Sequence, residues 1–323
     1  MRSLLVSRLG ESPVLTDLPV PEPGPGEVRL HIAACGLNFA DLLMIEGRYQ
    51  EKPSLPYIPG MEIAGSVDKV GPGVTGLSPG ARVAVIAGQG GLAEAGCFAA
   101  DRCIPLPEAM PFETAAAFPI AYGTSHIALD RRAGLRRGET LLVTGAAGGV
   151  GLTAVEIGKL MGARVIAVAR GAEKLAVARG AGADHLVDSD TADLKAELKA
   201  LGGIDVAYET VGGAIFDSAM GAMRPEGRML AIGFAGGTVP QVAANRLLVK
   251  NLSVIGLYWG GYLAFRPDVL RDSLAQLLDW YGEGLLKPHV SHVLPLSRAG
   301  QALALLRDRK STGKVVVRCD ASE

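Results

Sequence analysis

One stretch of this chain leaves little freedom in how it folds. The apolar run TLLVT leads straight into Thr144-Gly145-Ala146-Ala147-Gly148-Gly149-Val150-Gly151, and the amphipathic stretch LTAVEIGKLMGA follows at once. A short apolar run bounded by glycines reads as a buried strand, and the longer amphipathic stretch reads as a helix. Small residues at the turn let the backbone approach an anion, while the start of the helix offers free N–H groups and the positive end of its dipole. That combination predicts a pyrophosphate-binding turn formed by Gly145, Gly148, Gly149, Val150 and Gly151, even though Ala146 stands where the plain GxGxxG fingerprint has its first glycine.

The pattern on either side of this turn predicts two domains. Up to about residue 110, short β segments (EVRLHIAAC, EIAGSVDKV, ARVAVIAG, CFAADRCIPLP) alternate with Gly and Pro, and only one short helix interrupts them, near Asn38 to Glu46. From about Phe112 the apolar strands TLLVTG, ARVIAVA, DHLVD, IDVAYET, GRMLAIG and LSVIGL alternate with helical stretches, as βαβ units with a parallel sheet require. Six such strands fit a doubly wound nucleotide fold. After Gly260 come an amphipathic helix (Val269 to Tyr281), a β segment at HVLPL, a helix at Arg298 to Arg307 and the strand KVVVR. The expected division is residues 1–115 with 261–323 in one domain and 116–260 in the other.

The end of the second parallel strand indicates which dinucleotide is bound. An Asp or Glu there would hold the adenosine ribose hydroxyls of NAD, whereas this chain has Arg170, with Lys174 one helical turn further on. Two cations with room for a 2'-phosphate predict NADPH.

Composition narrows the function classes. The 32 basic and 33 acidic residues nearly cancel, so no global field draws nucleic acid or an anionic membrane. No apolar run of spanning length occurs, and the N-terminal stretch lacks a signal-peptide core, so a cytoplasmic protein with no membrane partner is expected. The four cysteines, Cys35, Cys97, Cys103 and Cys319, show no CxxC pairing and suit reduced thiols. The five histidines show no metal-ligand spacing.

Over essentially its whole length the sequence resembles the medium-chain dehydrogenase/reductase superfamily. The resemblance rests on CGLNFADLLMIEGRY, PYIPGMEIAGSVDKVGPGV, FPIAYGTSHIAL, TGAAGGVGLTAVEIGKLMGARVIAVAR and TGKVVVR, and among the branches it is strongest to the NADPH:quinone oxidoreductases, including NLSVIGLYWGGY. It implies a mainly β, GroES-like catalytic domain beside the Rossmann domain. Zinc-dependent relatives carry a Cys and a His where this chain has Asn38 and Met61, and no cluster of four closely spaced cysteines is present for a structural zinc, so no metal is expected.

The resemblance also implies a site. Asn38 and Asp41 would lie beside the nicotinamide, with Tyr49 further along the same wall. Asn38 is then a donor to a substrate oxygen, Tyr49 a hydrogen-bonding or proton-donating phenol or a packing aromatic, and Asp41 an orienter, since a carboxylate there would oppose the charge that develops. Thr124 and Phe234 would touch the nicotinamide and ribose. Tyr258, with Trp259, would roof the pocket or pair with a second copy in a homodimer. Leu43 and Ser189 stand where some relatives have tyrosines, so roles resting on those phenols do not transfer. Three activities stay open: reduction of quinones, reduction of enones or enoyl thioesters at the same NADPH site, and a non-enzymatic, crystallin-like role in which NADPH serves stability.

Overall fold

The computed structural model describes residues 1–320 and divides the chain into two units, Met1–Ile120 with the segment from Pro288 onward, and Ala121–Lys287. The first is built on a long central strand, Glu27–Leu37. Its N-terminal half pairs with Ala95–Ala99, its C-terminal half with Lys314–Arg318, and its other edge with Glu62–Val70, all antiparallel. Beyond Glu62–Val70 lie Arg82–Ile86 and Cys103–Pro105, and beyond Lys314–Arg318 lies Val290–Pro295. Alternate residues point inward, so Leu30, Ile32, Ile63, Val83, Val85, Val315 and Val317 are fully buried in one core.

Register, more than any single element, assembles the site in this unit. Gly36 lies opposite both Glu62 and Val316. The strand ends therefore bring Asn38, Glu62 and Lys314 to one place. Gly36 is required there, because a Cβ at that position would stand 1.8 Å from the Ala116 carbonyl oxygen.

The second unit carries a six-stranded parallel sheet in the order His185–Asp188, Arg164–Ala169, Thr140–Thr144, Ile204–Glu209, Met223–Ala231 and Ser253–Gly256. In sequence order this is 3-2-1-4-5-6, the doubly wound arrangement expected from the alternating pattern. The first strand is buried throughout, and the helix Gly149–Leu160 follows it.

Three features depart from expectation. The stretch CFAADRCIPLP is not one strand: a 3-10 turn at Ala100–Arg102 breaks it, so that Ala95–Ala99 pairs with Glu27–Leu37 while Cys103–Pro105 pairs with Arg82–Ile86. A two-stranded ribbon, Arg2–Leu5 with Val14–Asp17, precedes the long strand. The amphipathic helix Pro267–Gly282, placed by the sequence with the tail, belongs to the second unit. Its Ser273 Oγ lies 2.8 Å from His126 Nδ1, and Trp280 meets the His126 ring edge-on at 5.2 Å.

Candidate active site

In the second unit the phosphate turn is shaped by contacts that exclude side chains. Gly145 has φ +59°, and a Cβ on it would come within 2.5 Å of Thr210 Oγ1. A Cβ on Gly151 would come within 2.2 Å of the Gly145 carbonyl oxygen. The first i−4 bond of the helix runs from Leu152 N–H to Gly148 O at 2.8 Å, so the first-turn amides of Gly149, Val150 and Gly151 precede it. This is a cradle for an anion, and the residues present fit a dinucleotide pyrophosphate.

Beneath the turn lies a carboxylate that sequence reasoning missed. Glu209 is fully buried and accepts hydrogen bonds from Thr144 Oγ1 (3.0 Å), Val211 N–H (2.9 Å) and Gly212 N–H (2.9 Å). Thr210 N–H donates to Thr144 Oγ1, and Thr210 Oγ1 donates back to the Thr144 carbonyl at 2.8 Å. Burial raises the Glu209 pKa above the usual carboxylate range, while the amide donors and the Thr144 hydroxyl act against the rise. The network locks the loop after Ile204–Glu209 to the last residue of Thr140–Thr144.

At the end of the second parallel strand Arg170 follows Arg164–Ala169, and its side chain is largely exposed. Its Nε pairs with Asp190 Oδ1 at 3.1 Å. Asp188, at the end of the neighbouring strand, accepts from Gly171 N–H (3.1 Å) and Asp190 N–H (3.0 Å). Two carboxylates thus accompany the predicted phosphate cations, and the residues at the preceding strand end do not by themselves reveal them. Lys174 lies half-buried on the helix Ala172–Gly180. Thr124 is buried, whereas Phe234 and Tyr258 are each more than a third exposed. Trp259 is buried in this unit, and its indole occupies the space of the side chain that Gly123 lacks.

In the first unit the half-buried Asn38 and the buried Glu62 and Lys314 form one cluster. Glu62 Oε1 accepts from Ile120 N–H at 2.8 Å, and Oε2 accepts from Lys314 Nζ at 2.7 Å and from Asn38 Nδ2 at 3.2 Å. Lys314 Nζ also donates to Asn38 Oδ1 at 2.7 Å, and Asn38 Nδ2 makes a second, longer bond to the Gly36 carbonyl at 3.3 Å. Lys314 is 5% exposed and Glu62 0%, rare for charges unless they are paired as these are. Tyr49 packs half-buried against the same core. Among the described residues, no three of His, Cys, Asp and Glu converge as a metal-binding set.

Asp41 lies in the first turn of the helix Phe39–Ile45 and is buried. It accepts from Asn38 N–H at 2.8 Å and Gly60 N–H at 3.2 Å, which fixes the turn that carries Asn38. Burial pushes its carboxyl up to about 6 against the pull of those amides and of Lys314. Because the folded pKa lies above the unfolded value of 3.8, this group's contribution to stability is fully present below the unfolded pKa and is lost as pH rises through about 6. Thermal melts should therefore show the wild type gaining on Asp41→Asn by about 2–3 kcal/mol as pH is lowered from roughly 7 to 4. A difference that stayed constant across that window would mean that Asp41 does not titrate there.

A GroES-like unit joined to a parallel-sheet dinucleotide unit defines the medium-chain dehydrogenase/reductase class. Residues 24–108 match the family model for an alcohol dehydrogenase GroES-like domain, and residues 149–280 match the one for a zinc-binding dehydrogenase. The chain is 40% identical to quinone oxidoreductase-like protein 2 homolog of Nematostella vectensis, over 98% of this chain and 88% of that protein. It superposes on the quinone oxidoreductase of Thermus thermophilus, solved alone and with NADPH, with a TM-score of 0.87 at 39% identity, covering 98% of this chain and 100% of that one. The Escherichia coli quinone oxidoreductase complexed with NADPH gives a TM-score of 0.91 at 29% identity, with the same coverage. The chain belongs to the quinone oxidoreductase family of this superfamily.

Proposed function

We propose that the protein uses NADPH to reduce quinones and related conjugated carbonyls, without zinc. The observation that carries this reading is the Lys314–Glu62–Asn38 cluster, an organic cation held at 2.7 Å from both partners at the position implied for the metal ligands of zinc-dependent relatives. Zinc does not fit this set. Asn38 and Met61 are poor zinc ligands, both nearby carboxylates are already engaged, Glu62 by Lys314 and Asp41 by the N–H groups of Asn38 and Gly60, and a divalent ion beside Lys314 would meet a like charge.

NADPH fits the second unit, and when bound it supplies a hydride. The amides of Gly149, Val150 and Gly151 would hold its pyrophosphate, and Arg170 and Lys174 its 2'-phosphate, with Asp190 sharing Arg170. Thr124, Phe234 and Tyr258 would flank the nicotinamide half. Conjugated acceptors suit a site with no metal, because the incoming charge is delocalised onto a remote oxygen and asks less electrostatic help of the protein. In the first unit Asp41 fixes the Asn38 turn, and Tyr49 lines the acceptor's wall.

We further propose a cytoplasmic homodimer. The open edge of Ser253–Gly256 and the exposed Leu248 and Val249 just before it support pairing there.

The test follows NADPH absorbance with a benzoquinone, a phenanthrenequinone, an alkenal and crotonyl-CoA. Quinones should turn over fastest, with KM for NADPH about tenfold or more below that for NADH. Faster reduction of the alkenal or the thioester would replace the substrate class. Tight NADPH binding with no turnover would replace the enzyme by a binding protein.

A further inference from the structure

The cluster around Asn38 leaves one hydrogen-bond donor unspent, and it is not on Asn38. Both hydrogens of the Asn38 amide are engaged, on the Gly36 carbonyl and on Glu62, and its oxygen accepts from Lys314. Ionised Asp41 offers no donor, and its two oxygens are held by backbone N–H groups. An ammonium has three donors, and Lys314 gives two of them, to Asn38 Oδ1 and Glu62 Oε2. Among the described residues its third has no acceptor, although the side chain is 6% exposed. A buried donor without a partner is costly, so its retention points to a ligand atom that completes the set.

We propose that Lys314 is a further catalytic residue, whose third N–H meets the acceptor's carbonyl oxygen. This rests on the reductase reading above. The acceptor gains a hydride, the cofactor is oxidised, and the conjugated π pair ends on the carbonyl oxygen as an anion. Water supplies the proton that gives the neutral product. Lys314 keeps its own proton throughout and acts as a fixed positive charge, with Glu62 and Asn38 holding the ammonium in one orientation. A donor aimed at developing charge in a water-poor site contributes more to the transition state than to the ground state.

Lys314→Met alone would strand the Glu62 carboxylate, so the decisive variant is the pair Lys314→Met with Glu62→Gln, which removes both charges together. That protein should melt close to the wild type and bind NADPH, followed by fluorescence, with unchanged affinity. Its kcat for quinones should fall about 100-fold or more. Across a series of substituted benzoquinones, log kcat should also depend more steeply on the electron-withdrawing power of the ring, because the acceptor must then stabilise its own charge. A purely structural lysine would not change that slope. A kcat within threefold of wild type, or an unchanged slope, would overturn the assignment, as would a loss confined to NADPH affinity. A wild type that turns over no acceptor would overturn the reductase reading itself, whereas an active wild type with an equally active double variant would overturn only the role of Lys314.

Discussion

Gly151→Val should leave a folded chain that no longer holds NADPH, with affinity lowered about 100-fold or more, equivalent to roughly 2.7 kcal/mol. The reason is local. A Cβ at 151 would stand 2.2 Å from the Gly145 carbonyl oxygen and 3.0 Å from the Ala146 Cα, so the turn must open, and its amides then point away from the pyrophosphate. Fluorescence titration with NADPH, alongside far-ultraviolet dichroism, separates the two effects. Gly180→Ala is the control: a Cβ added to that helical glycine would have no neighbouring atom within 4 Å, and the change should be neutral or slightly stabilising. Wild-type affinity in the Gly151 variant would mean that the pyrophosphate does not rest on this turn.

Glu62→Ala should cost about 3–5 kcal/mol of stability, the range expected when one partner of a buried ion pair is removed. The carboxylate has three separate donors, the amide of Ile120, the ammonium of Lys314 and the amide of Asn38, and its loss leaves Lys314 buried and charged. Chemical denaturation measures the loss. A cost below about 1 kcal/mol, the level of an exposed pair, would show that water reaches the cluster.

How much of this was legible in the sequence depends on the distance over which each feature is encoded. The phosphate turn lies within a dozen residues, and strand, glycines and helix are all read from neighbours in the chain. The doubly wound order follows from alternation repeated over a hundred residues. By contrast, Lys314 and Glu62 are 252 positions apart and meet only because both edges of Glu27–Leu37 are paired in a particular register. A signal was present nonetheless, since a charge at the head of each apolar strand, GMEIAG and GKVVVR, is unusual unless the two pair. Glu209 looked like a strand-end residue, and nothing local shows that its carboxylate turns back to cap the amides of residues 211 and 212. Asp190 is hidden from Arg170 for a similar reason, because the two meet across adjacent parallel strands, 20 residues apart. The break in CFAADRCIPLP is also tertiary. Its halves serve different neighbours, and composition cannot show which strand each will join.

The placement of Lys314 also bears on attempts to convert this scaffold into a metalloenzyme. Grafting Cys at 38 and His at 61 would install two ligands beside a resident ammonium that already claims the nearest carboxylate. An engineer would have to evict that cation first, so the route to a metal-bearing site runs through the last strand of the chain as well as through the ligand positions.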